Sequence, residues 1–290
     1  MLWVRFSTNS RCSKCDQKRL LRPVIEFSKT DRQGPDWPVT GAASNLPAAN
    51  GSDVSQPTLR DRLVALGEIT LCSGFPTQFA LIPVLAIVGV APPVAVDRLT
   101  LSYVVALSLA DAVLLLSLIW LLLRAHDERP AELLLGRRPM TREAILGILW
   151  VPGALLLATT AFAVMMRFAP ALHNMLENPL ETLIDSPGAA VAFAFVAVVA
   201  GGIREEVQRA FILRRFEHHL GGMVVGVIVF STVFALGHLV QGRDAAIVTG
   251  LLGAFWGIWY LRRGSVIGPV VCHAGFNLVE VLLAVSASGG

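Results

Sequence analysis

Charge is what this chain has least of. Asp, Glu, Lys and Arg make up only 16% of its 290 residues, hydrophobic residues make up 54%, and mean hydropathy is +0.63. A soluble domain carries about 25% charged residues, so the composition excludes an ordinary water-soluble globule and indicates a multispanning membrane protein. The apolar runs also lack strict alternation, which excludes the strands of a transmembrane β-barrel. Four cysteines do not make a disulfide framework. Cys72 and Cys272 fall in apolar runs, and Cys12 and Cys15 lack the second Cys/His pair that a structural zinc site needs. No internal repeat is visible, which counts against repeat-built transporters. Only 3 of the 24 basic residues are lysine, and alanine is abundant. That bias suits a GC-rich bacterial genome and points to the plasma membrane, with the endoplasmic reticulum membrane as the alternative.

What is present is a series of long apolar segments. Crossing a hydrocarbon core takes about 20 helical residues. The expected fold is therefore an all-α, multispanning transmembrane helical bundle of about seven spans. They are Ile69–Ala91 (interrupted by Pro76 and Pro83), Leu99–Leu123, Ala144–Met166, a segment from Gly188 onward, Gly222–Val240, Ala245–Leu261 and Ser265–Val285. Residues 1–68 are polar, have no signal-peptide apolar core, and are expected to be a flexible tail. The domain reading is 1–68 tail, 69–187 amino-terminal helices and 188–285 core. Of the 24 Lys and Arg, 21 fall on one side of these spans, and only Arg98, Arg167 and Arg243 on the other. The positive-inside rule then places the amino terminus in the cytoplasm. It also accounts for the basic pI of about 8.9 without nucleic acid.

Three polar clusters interrupt the apolar core. Gly202-Ile-Arg-Glu205-Glu206-Val-Gln-Arg209 follows directly on an apolar run; Phe234-Ala-Leu-Gly-His238 and His273-Ala-Gly-Phe-Asn277 lie within two others. A charge at membrane depth costs at least about 2.5 kcal/mol, so such residues are either functional or tightly paired. Spacings of three and four put Arg209 beside Glu205 and Glu206, Phe234 beside His238, and His273 beside Asn277. At 1.5 Å per residue, Glu205, His238 and His273 sit roughly 14–21 Å from the same side of the membrane, so one site can contain all three. Taken singly, a membrane His or Asn more often makes an interhelical hydrogen bond than does chemistry. Asp111 is expected to pair within the bundle, Glu280 to bond a neighbouring helix, and His126, His173, His218 and His219 to be solvated. Gly250, Gly253 and Gly257 read as close helix packing.

The ordered set Glu205-Glu206 with a nearby Arg, Phe234-x-x-x-His238 and His273-x-x-x-Asn277 resembles the CPBP family. That family comprises the Ras-converting CAAX prenyl endopeptidases and bacterial relatives termed abortive-infection or bacteriocin-processing proteins. The resemblance covers roughly residues 188–285. The family pattern puts its arginine at the position of Ala210 here; Arg209 comes one residue earlier, about 100° around the helix. The resemblance implies an intramembrane endopeptidase acting on a membrane-associated peptide or protein, including prenylated CAAX tails.

The implied chemistry is hydrolysis by an activated water, and desolvation makes a carboxylate a stronger base for it. Glu205 is the expected base, with His238 orienting the water. His273 and Asn277 are expected to donate to the oxyanion. Glu206 supports them, tied to Arg209, and Phe234 packs behind. This mechanism needs no cofactor. The zinc alternative uses His238, His273 and Glu206 as ligands and Glu205 as base; a local His-Glu-x-x-His is absent. A non-proteolytic alternative has the same groups relaying protons in transport or binding a partner, as in bacteriocin immunity.

Overall fold

The structure is a computed structural model and describes residues 56–90, 92, 98–175 and 178–288. Among these residues all regular structure is helical. Helices α1 (Leu59–Leu71) and α2 (Phe75–Ile87) form a pair bent by 41°. Then come α3 (Leu101–Ala125), the short α4 (Pro130–Leu134) and α5 (Met140–Phe168). Next, α6 (Pro187–Val196) runs through a π-helical segment, Ala197–Arg204, into α7 (Glu205–His219). The chain ends with α8 (Met223–Gly237), α9 (Arg243–Arg263) and α10 (Ile267–Ser288).

Local chemistry explains the ends. Thr58 and Asp61 form a reciprocal capping box at the start of α1, with the Thr58 N–H donating to Asp61 at 2.9 Å. Ser186 accepts from the Ala189 N–H at 3.2 Å, and Pro187 opens α6. Gly264, in the left-handed region, ends α9 after Arg262 and Arg263, whose charges suit the carboxyl end of a helix.

Three expectations change here. Among the described residues five helices are long and apolar enough to cross a membrane, or six if α1 and α2 count as one broken span, rather than about seven. The segment expected at Gly222–Val240 holds only the 15-residue α8, because the chain turns at His238. The segment expected at Ile69–Ala91 breaks at Gly74 (φ +89°), not at either proline. Its first helix begins at Leu59, inside the stretch expected to be tail; positions 1–55, with Cys12 and Cys15, lie outside the described residues.

The buried apolar core has two main parts. Phe211 and Leu213 of α7 pack with Leu115 and Ile119 of α3 and Phe230 of α8. Trp256 of α9 packs with Phe276 of α10 and Ala154 of α5. Glycines 250, 253 and 257 bring α9 tightly against α8: a Cβ at Gly250 would lie 2.9 Å from the Ala235 Cβ. Buried charge is paired. Arg215 meets Glu68 at 2.5 Å and also Glu128, and Glu143 takes both guanidinium arms of Arg263 at 2.6 and 2.7 Å. His126 is exposed, as expected, and also bonds Glu68 at 2.5 Å; His173, expected to be solvated, is partly buried and bonds Asp244 at 2.6 Å. Each closes a loop onto a neighbouring helix end.

Candidate active site

The π-helical segment prepares the site. Its Gly201-Gly202 pair presents bare backbone to α10. A Cβ at Gly202 would sit 2.8 Å from that of Ala274, and one at Gly201 would run into the Asn277 amide. The close approach lets Asn277 donate from Nδ2 to the Ala197 carbonyl at 3.0 Å. Wide turns of this kind recur where a helix must offer side chains to a site. The first residues beyond it are Glu205 and Glu206.

These adjacent carboxylates face different surroundings. Glu206 is 1% exposed; its Oε1 accepts from His273 Nδ1 at 2.8 Å and pairs with Arg209. Arg209 lies among the rings of Phe230, Phe234 and Trp256, with Cζ 5.1, 5.3 and 5.7 Å from their centroids. Arg209 thus reaches Glu206 from its earlier helical position, while Ala210 is buried in the core. Glu205 keeps 15% of its side chain exposed, and its Oε2 lies 3.8 Å from His273 Nε2.

The histidines are oriented by their other ring nitrogens. His238 Nδ1 donates to the Phe234 carbonyl at 2.8 Å, so in the neutral ring Nε2 carries the lone pair. The Phe234 ring packs 4.6 Å from that of His238. His273 stacks on Trp256, with centroids 3.7 Å apart and planes 16° from parallel. Nδ1 is committed to Glu206, so Nε2 is the nitrogen left for chemistry.

Glu205, His238, His273 and Asn277 line one cavity of about 440 Å³, shared with Gln208 and Glu280. Side chains of Ile69, Phe75, Ile212, Phe216, Val229 and Val233 carry it between the bent pair, α7 and α8 as an apolar extension. Glu206 and Arg209 are not among the lining residues. Of the zinc trio named from sequence, His238 and His273 line the cavity, whereas Glu206 lies behind it, bonded to Nδ1 of His273 and paired with Arg209. Among the described residues no group of three His, Cys, Asp or Glu is disposed to hold a metal ion.

One part of the site was not read from sequence. Arg204, next to Glu205, donates from Nη2 to Asp111 Oδ2 at 2.5 Å, and Asp111 also accepts from Thr77 and, at 3.4 Å, from Gln78. Gly74 is the only residue type that fits there, since a Cβ would strike the Arg204 guanidinium. Gln208 donates to the Cys72 carbonyl at 2.6 Å. These bonds fasten the bent pair and α3 to the helix that carries Glu205. The available signal was Asp111 itself, a lone carboxylate in the 25-residue apolar α3, which the expected pairing within the bundle describes without naming its partner.

Residues 187–279 match a family model described as Type II CAAX prenyl endopeptidase Rce1-like. This stretch is thus an Rce1-like domain of the CPBP family, and it contains every sequence-named site residue from Glu205 to Asn277. Asp111, Thr77 and Gln78 lie outside it. Comparisons with curated proteins and with solved structures return no match.

Proposed function

We propose, with an Rce1-like domain as the premise, that this chain is an intramembrane endopeptidase that hydrolyses a peptide bond of a membrane-associated substrate by water activated on Glu205 and His238. The observation that carries the reading is the convergence of Glu205, His238, His273 and Asn277, from three separate helical segments, on one cavity. Structural polar groups in a membrane seek each other and close the gap; these leave space between them.

The chemistry follows from the free atoms. A water between Glu205 and His238 Nε2 donates one hydrogen bond to each and keeps a lone pair for the scissile carbonyl carbon. Attack transfers a proton to Glu205, and the tetrahedral oxyanion forms beside His273 and Asn277. Because His273 Nδ1 donates to Glu206, its Nε2 donates to the oxyanion as the imidazolium, which the Glu206 carboxylate stabilises. Asn277 holds one N–H on the Ala197 carbonyl and has a second for the oxyanion. Collapse expels the amine, which takes the proton from Glu205. No step requires a metal.

The apolar extension past Ile69, Phe75 and Phe216 suits a substrate carrying a hydrocarbon chain, such as a prenylated CAAX tail arriving from the bilayer. The arginine asymmetry sets the site towards the cytoplasmic leaflet. The test is cleavage of a prenylated CAAX-ending peptide by the full-length chain in liposomes, read by mass spectrometry of the released fragment. Wild type cleaves, and Glu205→Gln and Glu205→Ala do not. Retained cleavage in both variants, or none by wild type on prenylated or unprenylated membrane peptides, overturns the proposal.

A further inference from the structure

Away from the cavity, two turns are sewn together at one end of the bundle. The Val266 N–H donates to the Leu134 carbonyl at 2.8 Å, and the Tyr260 hydroxyl donates to the Leu133 carbonyl at 3.0 Å. Arg138 Nε donates to the Arg263 carbonyl at 3.3 Å, and Arg263 itself is clamped by Glu143. The α4–α5 and α9–α10 turns therefore form one surface, and it is crowded with guanidinium groups.

Arg137, Arg138, Arg142 and Arg262 are all exposed there. Glu143 is consumed by Arg263, and Glu132 pairs with Arg129 at 3.6 Å. Among the described residues, none of the four arginines makes an ion pair. Buried arginines in this molecule behave differently: Arg204, Arg209 and Arg215 each have a carboxylate. The Glu143 carboxylate, whose field reaches Arg138 and Arg142, is already bonded to Arg263; the remaining like charges repel one another, and an anion relieves that repulsion.

We propose that these two turns bind the headgroup of an anionic phospholipid, with its phosphate held by Arg138, Arg142 and Arg262 and bordered by Arg137. Three features point to this ligand, and the first and third select a lipid over a soluble anion. The arginines sit at the ends of α5 and α9, both long and apolar enough to span, and so at headgroup depth. Guanidinium offers a fork that matches phosphate oxygens, and every basic residue of the described chain is Arg rather than Lys. An acyl surface lies directly below: exposed Ile145 and Leu149 follow Arg142 by three and seven residues on the same face of α5. Beside it, Trp150 meets Phe255 and Trp259 with centroids 5.8 and 6.0 Å apart, joining α5 to α9 with interfacial aromatic rings. The opposite ends of the same helices carry one arginine each, Arg167 and Arg243.

The experiment is native mass spectrometry of the detergent-purified full-length chain offered equimolar dioleoyl phosphatidylglycerol and phosphatidylcholine. Wild type retains phosphatidylglycerol in preference. The variant Arg137→Gln/Arg138→Gln/Arg142→Gln/Arg262→Gln loses that preference, by about 5-fold for each charge removed. Arg142→Gln alone loses about 5-fold and serves if the fourfold variant does not fold. The control Arg167→Gln/Arg243→Gln keeps wild-type retention. Unchanged retention in Arg142→Gln and the fourfold variant, an equal loss in the control, or equal binding of phosphatidylcholine overturns the proposal. So does displacement of the lipid by millimolar inorganic phosphate, which assigns the site to a free anion.

Discussion

Glu143 and Glu205 are both acidic side chains on spanning helices, yet their surroundings are opposite. Glu143 is fully enclosed, and both its oxygens are bonded to Arg263. Glu205 faces a cavity, and its neighbour His273 stands 3.8 Å off, too far for a direct hydrogen bond. A carboxylate with both oxygens bonded to a partner on another helix holds helices together. One left facing space beside two oriented imidazoles is arranged to meet something that comes and goes. The same contrast runs within α7, where Glu206 is spent on His273 and Arg209 while Glu205 is not.

Exchanging the carboxylates' chemistry tests that contrast most severely. Glu205→Gln should lower kcat by about 10²–10⁴-fold, the usual contribution of a general base, and leave the melting temperature near wild type. Single-turnover cleavage in liposomes beside a thermal melt measures both. A large fall in stability would move Glu205 into the structural class. Glu143→Ala should do the reverse, costing about 3 kcal/mol of stability because Arg263 loses both bonds, with cleavage per folded molecule close to wild type. Denaturation in mild detergent reads this.

Arg209→Lys tests whether Glu206 is held by charge alone. Lysine keeps the charge but loses the flat contact with Phe230, Phe234 and Trp256, so about 1–2 kcal/mol of stability should go. Cleavage should weaken as His273 loses a fixed partner. Gly202→Ala should cost about 1–3 kcal/mol by pushing α10 away at Ala274. A compensating Ala274→Gly should restore part of that loss. Smallest of all, His173→Ala removes a partly buried contact with Asp244 and should cost roughly 0.5–1 kcal/mol without altering cleavage.

Much of the bundle was legible because helices in lipid must bury long apolar runs, and such runs are visible as composition. Where the reading failed, the cause was local. Gly74 breaks a run that looks continuous in hydropathy, since a left-handed residue leaves no trace in an average. The helix from Leu59 reads as tail because Arg60, Asp61 and Arg62 make its first turn polar, even though Asp61 completes the capping box with Thr58. Meeting of the site residues was foreseeable from depth and helical phase. The stacking of Trp256 on His273 and the bond from Arg204 to Asp111 were not, because they join residues 17 and 93 positions apart whose relative rotation no periodicity reports.

The order of amino acids alone determined that this is a helical membrane protein, and which polar groups stand inside its apolar helices, because the cost of transferring charge into hydrocarbon is a property of each residue. Tertiary packing decided how those groups divide their labour. Only the approach of α10 to the glycine pair, and of α3 to Arg204, sets which oxygen or nitrogen finds a partner and which is left facing the cavity. Hydrogen bonds depend on distances of a few tenths of an ångström, and those are set by helices meeting, not by any one helix.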